Sequence, residues 1–107
     1  MTSSELRDYL GTFNTNIDNA ITEYSDVSSS ISSIANNINT IKGSDGAMYN
    51  GIIDNTTNAQ TQVQNIVSTL QSLKSSVNAK TSAEINRLAL AEDAARRRRE
   101  EEDGGSD

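Results

Sequence analysis

The residues best equipped for chemistry lie near the C-terminal end, where Arg96, Arg97, Arg98 and Arg99 run together. Adjacent guanidinium groups can grip phosphate oxygens through charge-assisted forks. Here Glu100, Glu101, Glu102 and Asp103 follow at once and cancel the field. Each Arg has an acid four positions later, the less favourable order for a helical ion pair. A solvated, charged helix end is the plainer reading, and a recognition tail for a docking or secretion machine is the alternative. The other chemical groups are hydroxyls and carboxylates. No His exists to activate a Ser, and no Gly-x-Ser-x-Gly elbow is present. Without Cys or His the usual zinc ligands are missing, and no Asp-x-Asp-x-Asp-Gly loop offers a calcium site. Asn55-Thr56-Thr57 fits the glycosylation sequon, but placement on a helix makes it a poor acceptor. The expectation is no enzymatic activity, no metal and no cofactor.

Periodicity carries far more than these groups do. Leu6, Leu10, Phe13, Ile17, Ala20, Tyr24, Val27, Ile31, Ile34, Ile38 and Ile41 alternate spacings of 4 and 3 without a break. That is an apolar residue in every a and d slot of a heptad repeat, a helical pattern that no strand produces. Thr2 and Glu5 fit a capping box at its start. Lys42 and then Gly43 fit its end, where a cation and a left-handed cap are favoured. Gly43, Ser44, Asp45 and Gly46 form the one turn signal in the first hundred residues, and Ser44 or Asp45 can cap a second helix. Ile52, Thr56, Ala59, Val63, Ile66, Leu70, Leu73 and Val77 repeat the stripe, with Tyr49 in phase ahead of them. Thr81, Ile85 and Leu88 continue it after a stutter. Thr81-Ser-Ala-Glu84 also reads as a capping box, so the stutter predicts either a continuous helix with a shifted face or a short break near Lys80.

The predicted fold is all-α, an antiparallel two-helix hairpin with helices at about 3–42 and 46–95. Pairing about the turn would set Leu6 near Ala83 and leave residues beyond about Ile85 overhanging. The hairpin would occupy residues 1–95, and residues 96–107 would be a charged, largely disordered tail.

Apolar residues make up 34 % of the chain, below the roughly 45–50 % of a globular domain. Ser, Thr and Asn crowd the helix surfaces and weaken intrinsic helicity. A lone hairpin covers each stripe on one side only, so apolar surface would remain for an interaction. The stripe is therefore both candidate core and candidate partner-binding site, and completion of a helical bundle is the expected use. The net charge of −6 argues against nucleic-acid binding. No apolar run is long enough to span a membrane, so no stable membrane insertion is expected. The N-terminus has no basic and apolar leader pattern, so the protein is expected in the cytoplasm when made, with any export by a route that needs no cleaved signal.

The assembled pattern resembles the WXG (Trp-X-Gly) superfamily of small helical hairpins tied to type VII secretion in Gram-positive bacteria. The points of resemblance are the chain length, the N-terminus, two amphipathic segments, and the turn Ile41-Lys-Gly-Ser-Asp-Gly-Ala-Met-Tyr-Asn-Gly51. The family's Trp-X-Gly sits at this turn, and this chain has no Trp. It therefore looks more like the accessory proteins encoded beside LXG toxins, which often lack the motif. The resemblance implies a targeting factor that binds the helical N-terminal region of an LXG toxin or another small helical protein. The family's export motif places an aromatic four positions before an acid. Leu88 and Glu92 have that spacing with Leu in the aromatic slot. The alternative function is a self-assembling structural hairpin: a homodimer, or a needle or filament subunit.

Overall fold

A computed structural model describes residues 1–42 and 49–104. The chain is all-α, with two long helices and no strand among the described residues. Helix α1 spans Ser3–Lys42 and helix α2 spans Asn50–Gly104. The turn residues Gly43, Ser44, Asp45 and Gly46 lie outside the described residues. Among the described residues no helix is long and apolar enough to cross a membrane.

The capping box at Thr2 is formed. The Glu5 amide donates to Thr2 Oγ1 at 3.1 Å, and the Thr2 amide donates back to Glu5 Oε1 at 3.3 Å. Two free donors of the first turn are thereby satisfied reciprocally. The second box, Thr81 to Glu84, is not a cap. Helix α2 runs unbroken through Lys80. Thr81 is half-buried, while Glu84 turns outward to meet Arg87 at 2.5 Å. Nothing between Gly51 and Gly104 interrupts the helix, because the segment holds neither Gly nor Pro.

Helix α2 also extends past the expected end at residue 95. The charged stretch expected to be largely disordered is helical through Gly104. Ala94, Ala95 and the Arg and Glu runs are strong helix formers. Asp93 adds local pairs, to Arg96 one turn on and to Arg97 at 3.1 Å. The Ser- and Thr-rich surfaces are accommodated by back-bonding. Thr12, Thr15, Ser29, Thr40, Thr56, Thr57 and Thr61 each donate to the carbonyl four residues earlier.

The helices pair antiparallel within two compact units. One comprises residues 1–15 and 74–107, the other residues 16–73. In the first, Ile85 is the most buried apolar side chain at 6 % exposure, and Leu6, Leu10, Phe13, Val77 and Leu88 are half-buried. Asn14 and Asn78 face one another there. Asn14 Nδ2 donates to Asn78 Oδ1 at 2.9 Å, and Asn78 Nδ2 returns the bond at 2.7 Å. At the far end Ser3 meets Glu92. This register is shifted from the expected one. Arg7 shares a recess with Ala89 and Glu92, so Leu6 lies past Ala83 towards Ala89. Pairing therefore continues well beyond Ile85, where an overhang was expected.

In the second unit Ile17 is buried at 5 % exposure. Ile31, Ile38, Ile53, Val63, Val67 and Leu70 are half-buried. Gln60 Nε2 donates across the pair to Ser28 Oγ at 2.7 Å and to Ser32 Oγ at 3.3 Å. Gln60 Oε1 is buried without a partner.

The reciprocal amide pair sets the register, because a slip would strand four polar groups in a half-buried place. Asn78→Leu should lower stability by about 1–3 kcal/mol, since it orphans Asn14. Asn14→Leu with Asn78→Leu should recover most of that loss. Urea unfolding of the three proteins checks both statements. Equal and additive losses would show that the amides act independently.

Candidate docking face

The heptad stripe read from the sequence does not stay on the seam between the helices. In residues 16–73 the seam of α1 takes Ile21, Ser28, Ile31, Ala35 and Ile38. The stripe residues Val27, Ile34 and Ile41 are exposed instead, Ile34 by 50 % and Ile41 by 69 %. The same happens on α2. Ile53, Thr56, Gln60, Val63, Val67 and Leu70 are turned inward. Ile52, Ile66 and Leu73 are exposed, Ile52 by 49 % and Leu73 by 47 %. Tyr24 is also exposed, to the same extent as Ile66.

The cause is helical arithmetic. A straight α-helix has 3.6 residues per turn, so a strict seven-residue repeat slips backward by about 20° per heptad. Over the five heptads from Leu6 to Ile41 the slip is about 100°, the angle of one residue. The inward position accordingly moves from Phe13 and Ala20 to the residues after Val27 and Ile34. On α2 the stutter between Val77 and Ile85 restores phase, which is why Ile85 and Leu88 sit inward again.

The displaced residues share one side. Ser32 on α1 and Thr57 on α2 each follow a seam residue by one position, and they line one recess together. Gln64 and Ser68, one position after Val63 and Val67, line another. In an antiparallel pair, equal angular steps from the seam carry both helices to the same side. Residues one step before the seam therefore gather on the opposite side. That side holds Val27, Ile34 and Ile41 from α1 and Ile52, Ile66 and Leu73 from α2. One side of the unit carries recesses lined mostly by hydroxyls and amides, with Ile31, Ala35 and Val67 at their floors, and the other carries the exposed aliphatics.

The candidate site thus divides. Val27, Ile34, Ile41, Ile52, Ile66 and Leu73 come together as an open face. Leu6, Leu10, Phe13, Ile17, Ile31, Ile38, Val63, Leu70 and Val77 are engaged in the units' own interiors. Leu88 is half-buried in the first unit. Glu92 has a structural part that the sequence did not announce. Its carboxylate sits at the N-terminus of α1 and accepts from the Ser3 amide at 3.2 and 3.3 Å and from the Ser3 hydroxyl. Negative charge is favoured there by the helix dipole. The Ser3 hydrogen bonds, with Arg7 adding charge, hold the Glu92 carboxyl below its ordinary range. Asn14, Asn78, Ser28 and Gln60 were also missed as contacts, although each stands one position after a stripe residue.

Among the described residues no group of three or more His, Cys, Asp or Glu side chains could hold a metal ion. The chain matches no protein-family model, and neither a curated protein nor a solved structure is significantly similar to it.

The Glu92 cap has a pH signature. Its native pKa is lowered, so the unfolded chain takes up the proton first as pH falls. The cap's contribution is complete above the ordinary Glu value of 4.5, declines below it, and vanishes beneath the native pKa. Glu92→Gln should therefore melt at a lower temperature than the parent at about pH 7 and at nearly the same temperature at about pH 2. Melting curves by circular dichroism check this, and a pH-independent gap would assign the effect to shape rather than charge.

Proposed function

We propose that this protein is a non-enzymatic helical adaptor that presents the open aliphatic face of residues 16–73 to a helical partner. The observation that carries the reading is the row Val27, Ile34, Ile41, Ile52, Ile66 and Leu73, exposed on one side of a helix pair. Contiguous exposed apolar surface on a small, polar chain marks an interaction site. A flat two-helix face is completed most simply by further helices, giving a bundle. The resemblance to WXG-like hairpins supplies the partner's class, the helical N-terminal region of a type VII-secreted LXG toxin. In this role the protein acts as a chaperone and targeting factor, made in the cytoplasm and exported, if at all, together with its partner and without a cleaved leader.

The test uses the purified protein and the recombinant N-terminal helical region of the LXG toxin encoded nearest to it. Light scattering after size exclusion should find a complex of the two, and calorimetric titration should give its affinity. Ile34→Ser with Ile66→Ser should weaken binding by roughly a hundredfold or more while leaving the adaptor's own melting temperature almost unchanged, because the exposed side chains contribute little to its interior. Absence of a complex, or a complex indifferent to both substitutions, would refute the reading.

A further inference from the structure

We propose that Asn50 is a site of spontaneous covalent modification: its side-chain amide closes onto the Gly51 backbone nitrogen and is lost as ammonia, and water then leaves an aspartate or isoaspartate at the head of α2. The inference stands by itself and does not depend on the open face docking a partner.

Three observations single out this residue. The first is the dipeptide. Asn50-Gly51 is the one Asn-Gly step in the chain. A backbone nitrogen that attacks the side chain ahead of it must swing round to reach it. Glycine has no Cβ to hinder that approach and allows the widest range of backbone angles.

The second is position. Asn50 is the first residue of α2, and both it and Gly51 are exposed. The Gly51 amide is among the first four of the helix, which have no acceptor within it. Helix ends also fray, so the backbone can leave the α conformation that keeps the nitrogen away from the side-chain carbon. Every other Asn lies inside a helix and precedes a residue with a side chain. There the following amide is tied to the carbonyl four residues earlier.

The third is charge. The first turn of α1 carries Glu5, whereas that of α2 carries no acid. The N-terminal pole of a helix favours a negative group. An aspartate at this place therefore strengthens the start of α2, and it takes the net charge one unit below −6.

The chemistry needs water and no other reactant. The Gly51 nitrogen bonds to Asn50 Cγ, the Cγ–Nδ2 bond breaks, and Nδ2 leaves as ammonia with the Gly51 amide proton. The product is a cyclic succinimide. Water then adds to one of its two carbonyls. Opening at Cγ gives aspartate with the main chain unchanged. Opening at the main-chain carbonyl gives isoaspartate, which routes the chain through Cβ and Cγ and adds a carbon to the backbone. The regular rise and hydrogen bonds of an α-helix do not accommodate that carbon, so isoaspartate chains begin α2 later.

The test incubates the full chain in mildly alkaline buffer and follows it by peptide mapping with electron-transfer fragmentation, which separates asparagine, aspartate and isoaspartate at each position. Asn50 should lose its amide faster than any other Asn by roughly tenfold or more. Gly51→Ala should slow that loss by roughly the same factor. The variant should stay helical by circular dichroism, because nothing lies within 4 Å of the added Cβ. Asn50→Asp, which carries the aspartate product from the outset, should melt a few degrees above the parent. An Asn50 amide that survives as long as those inside the helices, or a loss indifferent to Gly51→Ala, would overturn the proposal. A lower melting temperature for Asn50→Asp would overturn the effect assigned to the charge.

Discussion

A seven-residue apolar repeat written onto a helix of 3.6 residues per turn cannot keep one heading, and most of this structure follows from that mismatch. Supercoiling would hold the stripe on the seam. Here the helices instead let the stripe rotate away, by about one residue over the length of α1. The inward positions of residues 16–73 thereby fall partly to Ser28, Ala35, Thr56 and Gln60. The aliphatics that would have filled them stand on one open side. A stutter at Thr81 undoes the slip, and the interior of the other unit recovers Ile85 and Leu88.

Polar side chains compensate where the apolar seam is thin. The Asn14–Asn78 pair satisfies its amides reciprocally, and Gln60 reaches two serines. Such bonds add little net stability, but a wrong alignment would leave them unmade, so they specify register. Glu92 does the same by electrostatics, closing the N-terminus of α1 with a carboxylate carried on α2. The two units therefore use the same stripe differently. The one joined by Glu92 and the Asn pair spends its apolar residues inward. The other keeps its large aliphatics available, which is the physical basis of the proposed docking role.

Much of this was legible in the residues alone. The alternation of 4 and 3 spacings dictated helices, because only the helical period keeps such positions on one face. Thr2 and Glu5 marked the start of α1, since a capping box depends only on residues three apart. The chain holds neither Cys nor His, the usual zinc ligands and, for His, the usual general base. Local chemistry left two outcomes open at Thr81–Glu84, and the continuous helix with a shifted face is the one that forms. It misled at Arg96–Asp103, where strong helix formers outweighed the expectation of a loose tail.

Tertiary structure decided what depends on the angle between two helices. Whether Val27 or Ser28 faces inward, and whether Leu6 opposes Ala83 or lies nearer Ala89, follows from accumulated twist and from long-range partners such as Ser3 and Glu92. Neither quantity is written in any short window of the chain. The sequence by itself determined that two amphipathic helices would form and carry more apolar surface than one pair can cover. Only their packing decided which residues were left uncovered, because a few degrees per turn, summed over many turns, choose the face.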